Sequence, residues 1–173
     1  METVYDLTSS ARFATEGALQ PNSRGCFGCG VENSSGLRLR FYNDGIGEAH
    51  ANVIFEDQHQ GYPGIAHGGV VATALDEAMV RSVLSGDFAR LYYTARIEVR
   101  YRQPVPLNVP LIVRGKVEKD RGRIVNAIAE VVLPNGLVAA EASGTLVQVP
   151  SEQLEQMNTP EVGWRVYDDL TDE

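Results

Sequence analysis

Residues 62–84 read Tyr62-Pro63-Gly64-Ile65-Ala66-His67-Gly68-Gly69-Val70-Val71-Ala72-Thr73-Ala74-Leu75-Asp76-Glu77-Ala78-Met79-Val80-Arg81-Ser82-Val83-Leu84. From Gly68 onward the apolar residues Val70, Val71, Ala74, Leu75, Ala78 and Met79 recur at helical spacing and occupy more than one face. The stretch therefore predicts a mostly buried helix over 68–84. Gly61, Pro63 and Gly64 punctuate its start, and Ser85-Gly86-Asp87 its end. A helix with so little polar surface has to be wrapped by other elements.

The flanking sequence supplies that wrapping. Before the helix, residues 36–41 alternate apolar and polar, and Ala49, Ala51, Val53 and Phe55 repeat the pattern after the turn Asn43-Asp44-Gly45, which predicts a hairpin. After it come four strand-like segments, over 92–101, 111–119, 123–133 and 137–149. They are divided by Pro104-Val105-Pro106, Asp120-Arg121-Gly122 and Pro134-Asn135-Gly136. One apolar helix and an antiparallel sheet of about six strands satisfy each other when the sheet curls around the helix, an α+β arrangement with the outline of a hotdog fold.

The chain has 173 residues, 43% of them hydrophobic, enough for a single core. That core is expected over 25–150. Residues 1–24 read as an N-terminal appendage, and 151–173, with seven acids against one base, as an acidic tail. A net charge of -8 and a pI near 4.9 argue against a general nucleic-acid binder. No apolar stretch is long enough to span a bilayer, and residues 1–11 lack the basic and apolar runs of a signal peptide. Cys26 and Cys29 lie too close together to staple a secreted scaffold. A reducing, cytoplasmic setting without membrane insertion is the expectation.

Two features carry chemistry. The first is the glycine-rich entrance to the helix, His67-Gly68-Gly69, where unshielded backbone N–H groups and the positive end of the helix dipole can hold an oxyanion. The same glycines also permit a tight turn and close packing. The second is Asp76, with Glu77 beside it, in an otherwise apolar helix. A carboxylate that loses solvation gains basicity, so a base or nucleophile role fits; a solvated groove or a pairing with Arg81 is the plainer alternative. Gly68 and Asp76 lie about 12 Å apart along one helix, whereas groups acting on one carbonyl must each come within about 3 Å of it. Two antiparallel helices related by a two-fold axis would bring Gly68 of one subunit opposite Asp76 of the other, so an enzyme using both is expected to be a homodimer.

The combination Cys26-Phe27-Gly28-Cys29-Gly30, Asn33, Gly36-Leu37, His67-Gly68-Gly69, Asp76, Thr94-Ala95, Tyr101 and Pro104-Val105 resembles the PaaI-type hotdog thioesterases over roughly residues 22–149. The resemblance implies hydrolysis of an acyl-CoA thioester to free acid and CoA. It assigns Asp76 as base or nucleophile and Gly68, with Gly69, as oxyanion donors. His67 would shape and cap the turn, and Thr94 would lie near the acid. Gly69, Asn33, Gly61 and Pro63 are expected beside the substrate, and dimers in this family commonly pair into tetramers. Two departures stand out: Ser34-Ser35 follow Asn33 where a proline is frequent, and Glu77 adds a second acid, expected to line the entrance or face the partner helix.

Zinc needs four ligands, and beyond Cys26 and Cys29 the chain offers His50, His59 and His67, so no metal is expected. The two cysteines do not introduce a thioredoxin-like strand and helix, and packing is their plain explanation. No cofactor is expected, CoA being part of the substrate. Between residues 96 and 123 eight basic residues outnumber three acids and are candidates for the CoA phosphates, although such alternation usually marks a solvated strand face. Tyr62, Met79 and Val83 are candidates for shaping an acyl pocket. A non-catalytic acyl-CoA binding or sensing protein is the alternative from another class, and a hydratase is the third, disfavoured because His67 and Asp76 sit far apart on the helix.

Overall fold

The structure is a computed structural model that describes residues 17–157 and 160–167. Its elements run β1 (Phe41–Gly45), β2 (Glu48–Val53), a short 3-10 turn (Asp57–His59), α1 (Gly68–Leu84), β3 (Tyr92–Tyr101), β4 (Leu111–Asp120), β5 (Ile124–Val132), β6 (Val138–Gln148) and α2 (Ser151–Met157). The six strands form one antiparallel sheet in the order β1-β2-β4-β5-β6-β3. The sheet wraps α1, which is the hotdog fold expected of the sequence.

Small residues allow the wrapping. A Cβ at Gly115 on β4 would lie 2.0 Å from the Ala78 carbonyl oxygen, so the helix backbone rests directly on the sheet there. At Gly144 on β6 a Cβ would meet the Met79 thioether at 3.0 Å. Ala74 and Ala78 on the helix, with Ala49, Ala51, Ala127 and Ala140 on the strands, keep the layers close, and Leu75, Met79 and Val71 fill the space between. Each of those larger side chains contributes about 1.5–3 kcal/mol through burial. Met79 and Val83, candidates for an acyl pocket, are core residues in the protomer.

The alternation at 36–41 does not make a strand: pairing begins at Phe41. Leu37 and Leu39 instead donate their N–H groups to Phe27 O and Gly28 O, and Arg38 between them has a positive φ of 49°. The apolar side chains still point inward, Leu39 being buried, but the backbone partners come from the loop that carries Cys26 and Cys29.

Residues 18–24 lie against the core. Gln20 donates its N–H to Phe41 O and Asn43 donates to Ala18 O, which covers the outer edge of β1. On the other side Asn22 and Arg165 exchange backbone hydrogen bonds. The opposite edge of the sheet is β3, which pairs with β6 alone among the described residues.

Candidate active site

Asp76 sits half-buried on the middle of α1 and faces β3. Thr94 donates its hydroxyl to Asp76 Oδ1 at 2.6 Å. The β3–β6 register is irregular between Thr94 and Arg96, and such a bulge re-aims the side chains around it. Burial pushes the Asp76 carboxyl above its ordinary range; the Thr94 hydrogen bond acts in the opposite direction, and the neighbouring Glu77 adds a smaller upward push. Arg81 does not compensate Asp76. It reaches back four residues to Glu77, Nε to Oε1 at 2.8 Å, so the plainer reading of an Asp76–Arg81 pair is not what forms.

At the helix entrance His67 is the N-cap, and its Nδ1 accepts the Gly69 N–H at 3.0 Å. That bond requires Nδ1 to be unprotonated, and it engages Gly69. The Gly68 N–H, by contrast, has no partner among the described residues, and it lies at the positive end of a 17-residue helix. Tyr101, at the far end of β3, donates its hydroxyl to Gly68 O at 2.6 Å and packs over the glycine, where a Cβ would lie 3.3 Å from its ring. Sequence reasoning gave Tyr101 no role here, because its partner lies thirty-three residues away.

β3 therefore carries two anchor points, Thr94 on Asp76 and Tyr101 on Gly68. Within one protomer they remain about 12 Å apart along the helix. Of the other expected site residues, Gly61 packs against His67, where a Cβ would lie 3.0 Å from His67 Cα, and Pro63 is exposed on the turn beside it. Asn33 holds its own loop instead: Nδ2 donates to Gly25 O, and Oδ1 accepts from Ser35 N. Glu77 turns toward that same loop, its carboxylate against Gly28, and not toward the groove entrance.

Half of the basic run is engaged in ion pairs. Arg96 pairs with Glu98, Arg102 with Glu141, Arg114 with Glu130 and Lys116 with Glu48. An open depression of 670 Å³ is lined by Arg100, Arg114, Glu130 and Glu141 among others. It is a groove between ion pairs, separate from the residues around Asp76 and Gly68. No helix among the described residues is long and apolar enough to cross a membrane.

Comparison with known proteins agrees with this architecture. Residues 63–140 match the family model described as Thioesterase superfamily. The Acyl-coenzyme A thioesterase THEM4 of Mus musculus is 34% identical over 64 residues, a match that covers 37% of this chain and 26% of the mouse protein. The chain thus spans about a quarter of that relative's length. Among solved structures, the thioesterase superfamily protein RHA08564 superposes with a TM-score of 0.64 at 28% identity, covering 72% of this chain and 60% of that one. The protein smu.793 from Streptococcus mutans, solved bound to acetyl CoA, superposes with a TM-score of 0.57 at 19% identity, covering 64% and 88%. The fold resemblance read from the sequence holds.

Proposed function

We propose, from the premise that residues 63–140 are a thioesterase-superfamily domain, that this protein hydrolyses acyl-CoA thioesters at sites shared between two protomers. The observation that carries the reading is the Thr94–Asp76 hydrogen bond. It places an oriented, partly desolvated carboxylate on an open sheet edge, where a base or nucleophile is useful and a purely structural acid is costly.

The two anchor points on β3 suggest the assembly. Tyr93, Ile97 and Tyr101 expose apolar surface along this unpaired edge, whereas the β1 edge is covered by residues 18–20. Antiparallel pairing of two β3 edges about an axis near Ile97 and Glu98 would set the Thr94 end of one strand beside the Tyr101 end of the other. Asp76 of one protomer then faces Gly68 of the second, and each dimer holds two equivalent sites.

In such a site the Gly68 N–H receives the thioester carbonyl oxygen and stabilises the negative charge that develops on it. Asp76 either draws a proton from water as the water oxygen attacks the carbonyl carbon, or attacks that carbon itself to give an anhydride that water then opens. In both routes the C–S bond breaks, CoA leaves as a thiolate that takes up a proton, and the acid is released. Thr94 holds Oδ1 and leaves Oδ2 for the reaction. His67 keeps the entrance in shape through Gly69, and Tyr101 holds the carbonyl of Gly68, pinning the first turn of α1 against β3. That smu.793 was solved with acetyl CoA supports a CoA ester as ligand on this fold.

Release of free thiol from a panel of short, long and aromatic acyl-CoA esters tests the proposal. Turnover by the wild type that is lost in Asp76→Asn supports it. An Asn variant as active as the wild type would overturn the role given to Asp76, and no turnover on any ester while CoA esters still bind would replace the hydrolase with the acyl-CoA binding protein.

A further inference from the structure

The loop from Ser23 to Leu39 lies on the side of α1 that carries Glu77 and Arg81. Cys26 and Cys29 sit in a tight turn there, closed by the Gly30 N–H on Cys26 O at 2.8 Å. Both sulfurs and a Glu77 carboxylate oxygen lie within 4.8 Å of one another. Cys29 is buried, and Cys26 is partly open to solvent. Beneath them Arg81 is buried, its Nη2 has no hydrogen-bond partner among the described residues, and its charge acts on the Cys29 sulfur. We propose that Cys26 and Cys29 form a redox-active dithiol, with Cys26 as the attacking thiolate and Cys29 as the resolving thiol, that closes to a disulfide when a hydroperoxide oxidises it.

The asymmetry of the pair supports those roles. The facing Cys29 thiol holds the Cys26 thiol down to about 6, against burial and the Glu77 charge, which act the other way. The hydrogen bond to Cys26 and burial push the Cys29 thiol well above the ordinary range. An accessible thiolate beside a buried, protonated partner is the arrangement that reacts in two steps. The Cys26 thiolate attacks the hydroperoxide, the O–O bond breaks, and an alcohol or water leaves with a proton, giving a sulfenic acid. Cys29 sulfur then attacks Cys26 sulfur, the S–O bond breaks, and the sulfenic hydroxyl leaves as water with the Cys29 proton. Two electrons pass from the two thiols to the hydroperoxide.

A metal is the competing use of two sulfurs and a carboxylate. Here the carboxylate is already bound by a guanidinium, and a dication would sit against that fixed buried cation, so the donor set favours thiolate chemistry. The proposal is independent of whether Asp76 hydrolyses a thioester.

The full chain, reduced and freed of reductant, is treated with equimolar hydrogen peroxide, and free thiols and intact mass are measured. The expected result is loss of both thiols and two hydrogens with no added oxygen. Cys29→Ser is expected to hold a dimedone-reactive sulfenic acid on Cys26. In the untreated wild type, iodoacetamide is expected to react at Cys26 with a midpoint near pH 6, about two- to threefold faster at neutral pH than an ordinary thiol. Oxidation of Cys26 to sulfinic acid with the Cys29 thiol intact overturns the proposal. So do thiols inert to peroxide, an alkylation midpoint at the ordinary thiol value, and stoichiometric zinc that masks both sulfurs.

Discussion

Thr94 on β3 donates its hydroxyl to Asp76 on α1 at 2.6 Å, while seven residues further along the same strand Tyr101 donates to the carbonyl of Gly68. One strand thus holds the helix at two heights, and the proposed catalytic groups are tied to a sheet edge and not to loops. A strand clamped to its helix in this way keeps the carboxylate and the helix entrance in fixed relative position, which is what an oxyanion site and a base both require.

Activity is expected to fall on the acid side with a midpoint above the ordinary carboxylate range. Asp76 must be ionised to act, and burial raises the pH at which it ionises. The sign for stability is the reverse of a salt-bridged acid: the folded state binds the proton more tightly than the unfolded state. Stability is therefore fully present below the unfolded value and declines as pH rises through the raised folded value. Asp76→Asn is expected to lose about 100- to 10,000-fold in kcat and yet to melt no lower than the wild type at pH 7. A pH–rate profile with paired thermal melts checks both, and a variant that melts much lower would contradict the account of Asp76 as a desolvated group.

Removing the Thr94 hydroxyl takes away the hydrogen bond that favours ionised Asp76. Thr94→Val should move the acid limb of the kcat profile to higher pH, and Thr94→Ser should restore it. Loss of kcat at every pH with an unmoved limb would assign Thr94 to packing alone.

How much of this could be read beforehand depends on distance along the chain. The helix, Gly68–Leu84, and the strand from Tyr92 were readable to the residue because their periodicity is local. The alternation at 36–41 misled for a physical reason: Leu37 and Leu39 point inward from a loop, and Arg38 adopts a positive φ that no pleated strand uses. The sequence offered Arg81 as a partner of Asp76, and helix geometry decided otherwise, since Glu77 is four residues away on the same face and Asp76 is five. Asp76 stands out as an acid in an apolar helix, and its neighbour Thr94, now seen bonded to it, came through the family resemblance. Tyr101 on Gly68 depends on where β3 docks, which local pattern does not encode.

Glu77, partly buried, and Arg81, fully buried, form a pair that should be costly to break on one side. Besides Glu77, the guanidinium donates to Pro21 O at 2.6 Å and lies 5.5 Å from the Phe41 ring and 5.3 Å from that of Trp164. Glu77→Gln leaves it without its carboxylate, an expected loss of about 3–5 kcal/mol in urea unfolding. Adding Arg81→Met to that variant should recover part of the loss, because the unpaired charge is gone. If the two effects simply add, the pair is not what stabilises this side of the helix.

Gly68 permits the sharpest test of a shared site, because it is the first residue of α1 and proline is well tolerated there. His67 before it is extended, at φ −63° and ψ 133°, as a residue preceding proline must be. Gly68→Pro therefore removes the proposed oxyanion N–H while keeping the helix start, with the Tyr101 ring shifting by a few tenths of an ångström to admit the added Cβ, and should cost about 100- to 1,000-fold in kcat. If each site joins Gly68 of one protomer to Asp76 of the other, a heterodimer of Gly68→Pro and Asp76→Asn subunits has one site with both defects and one intact. Unfolding and refolding equal amounts of the two inactive variants together should restore about a quarter of wild-type activity, since half of the dimers formed are mixed. Sites contained within single protomers predict no recovery, because every subunit then carries a lesion in its own site.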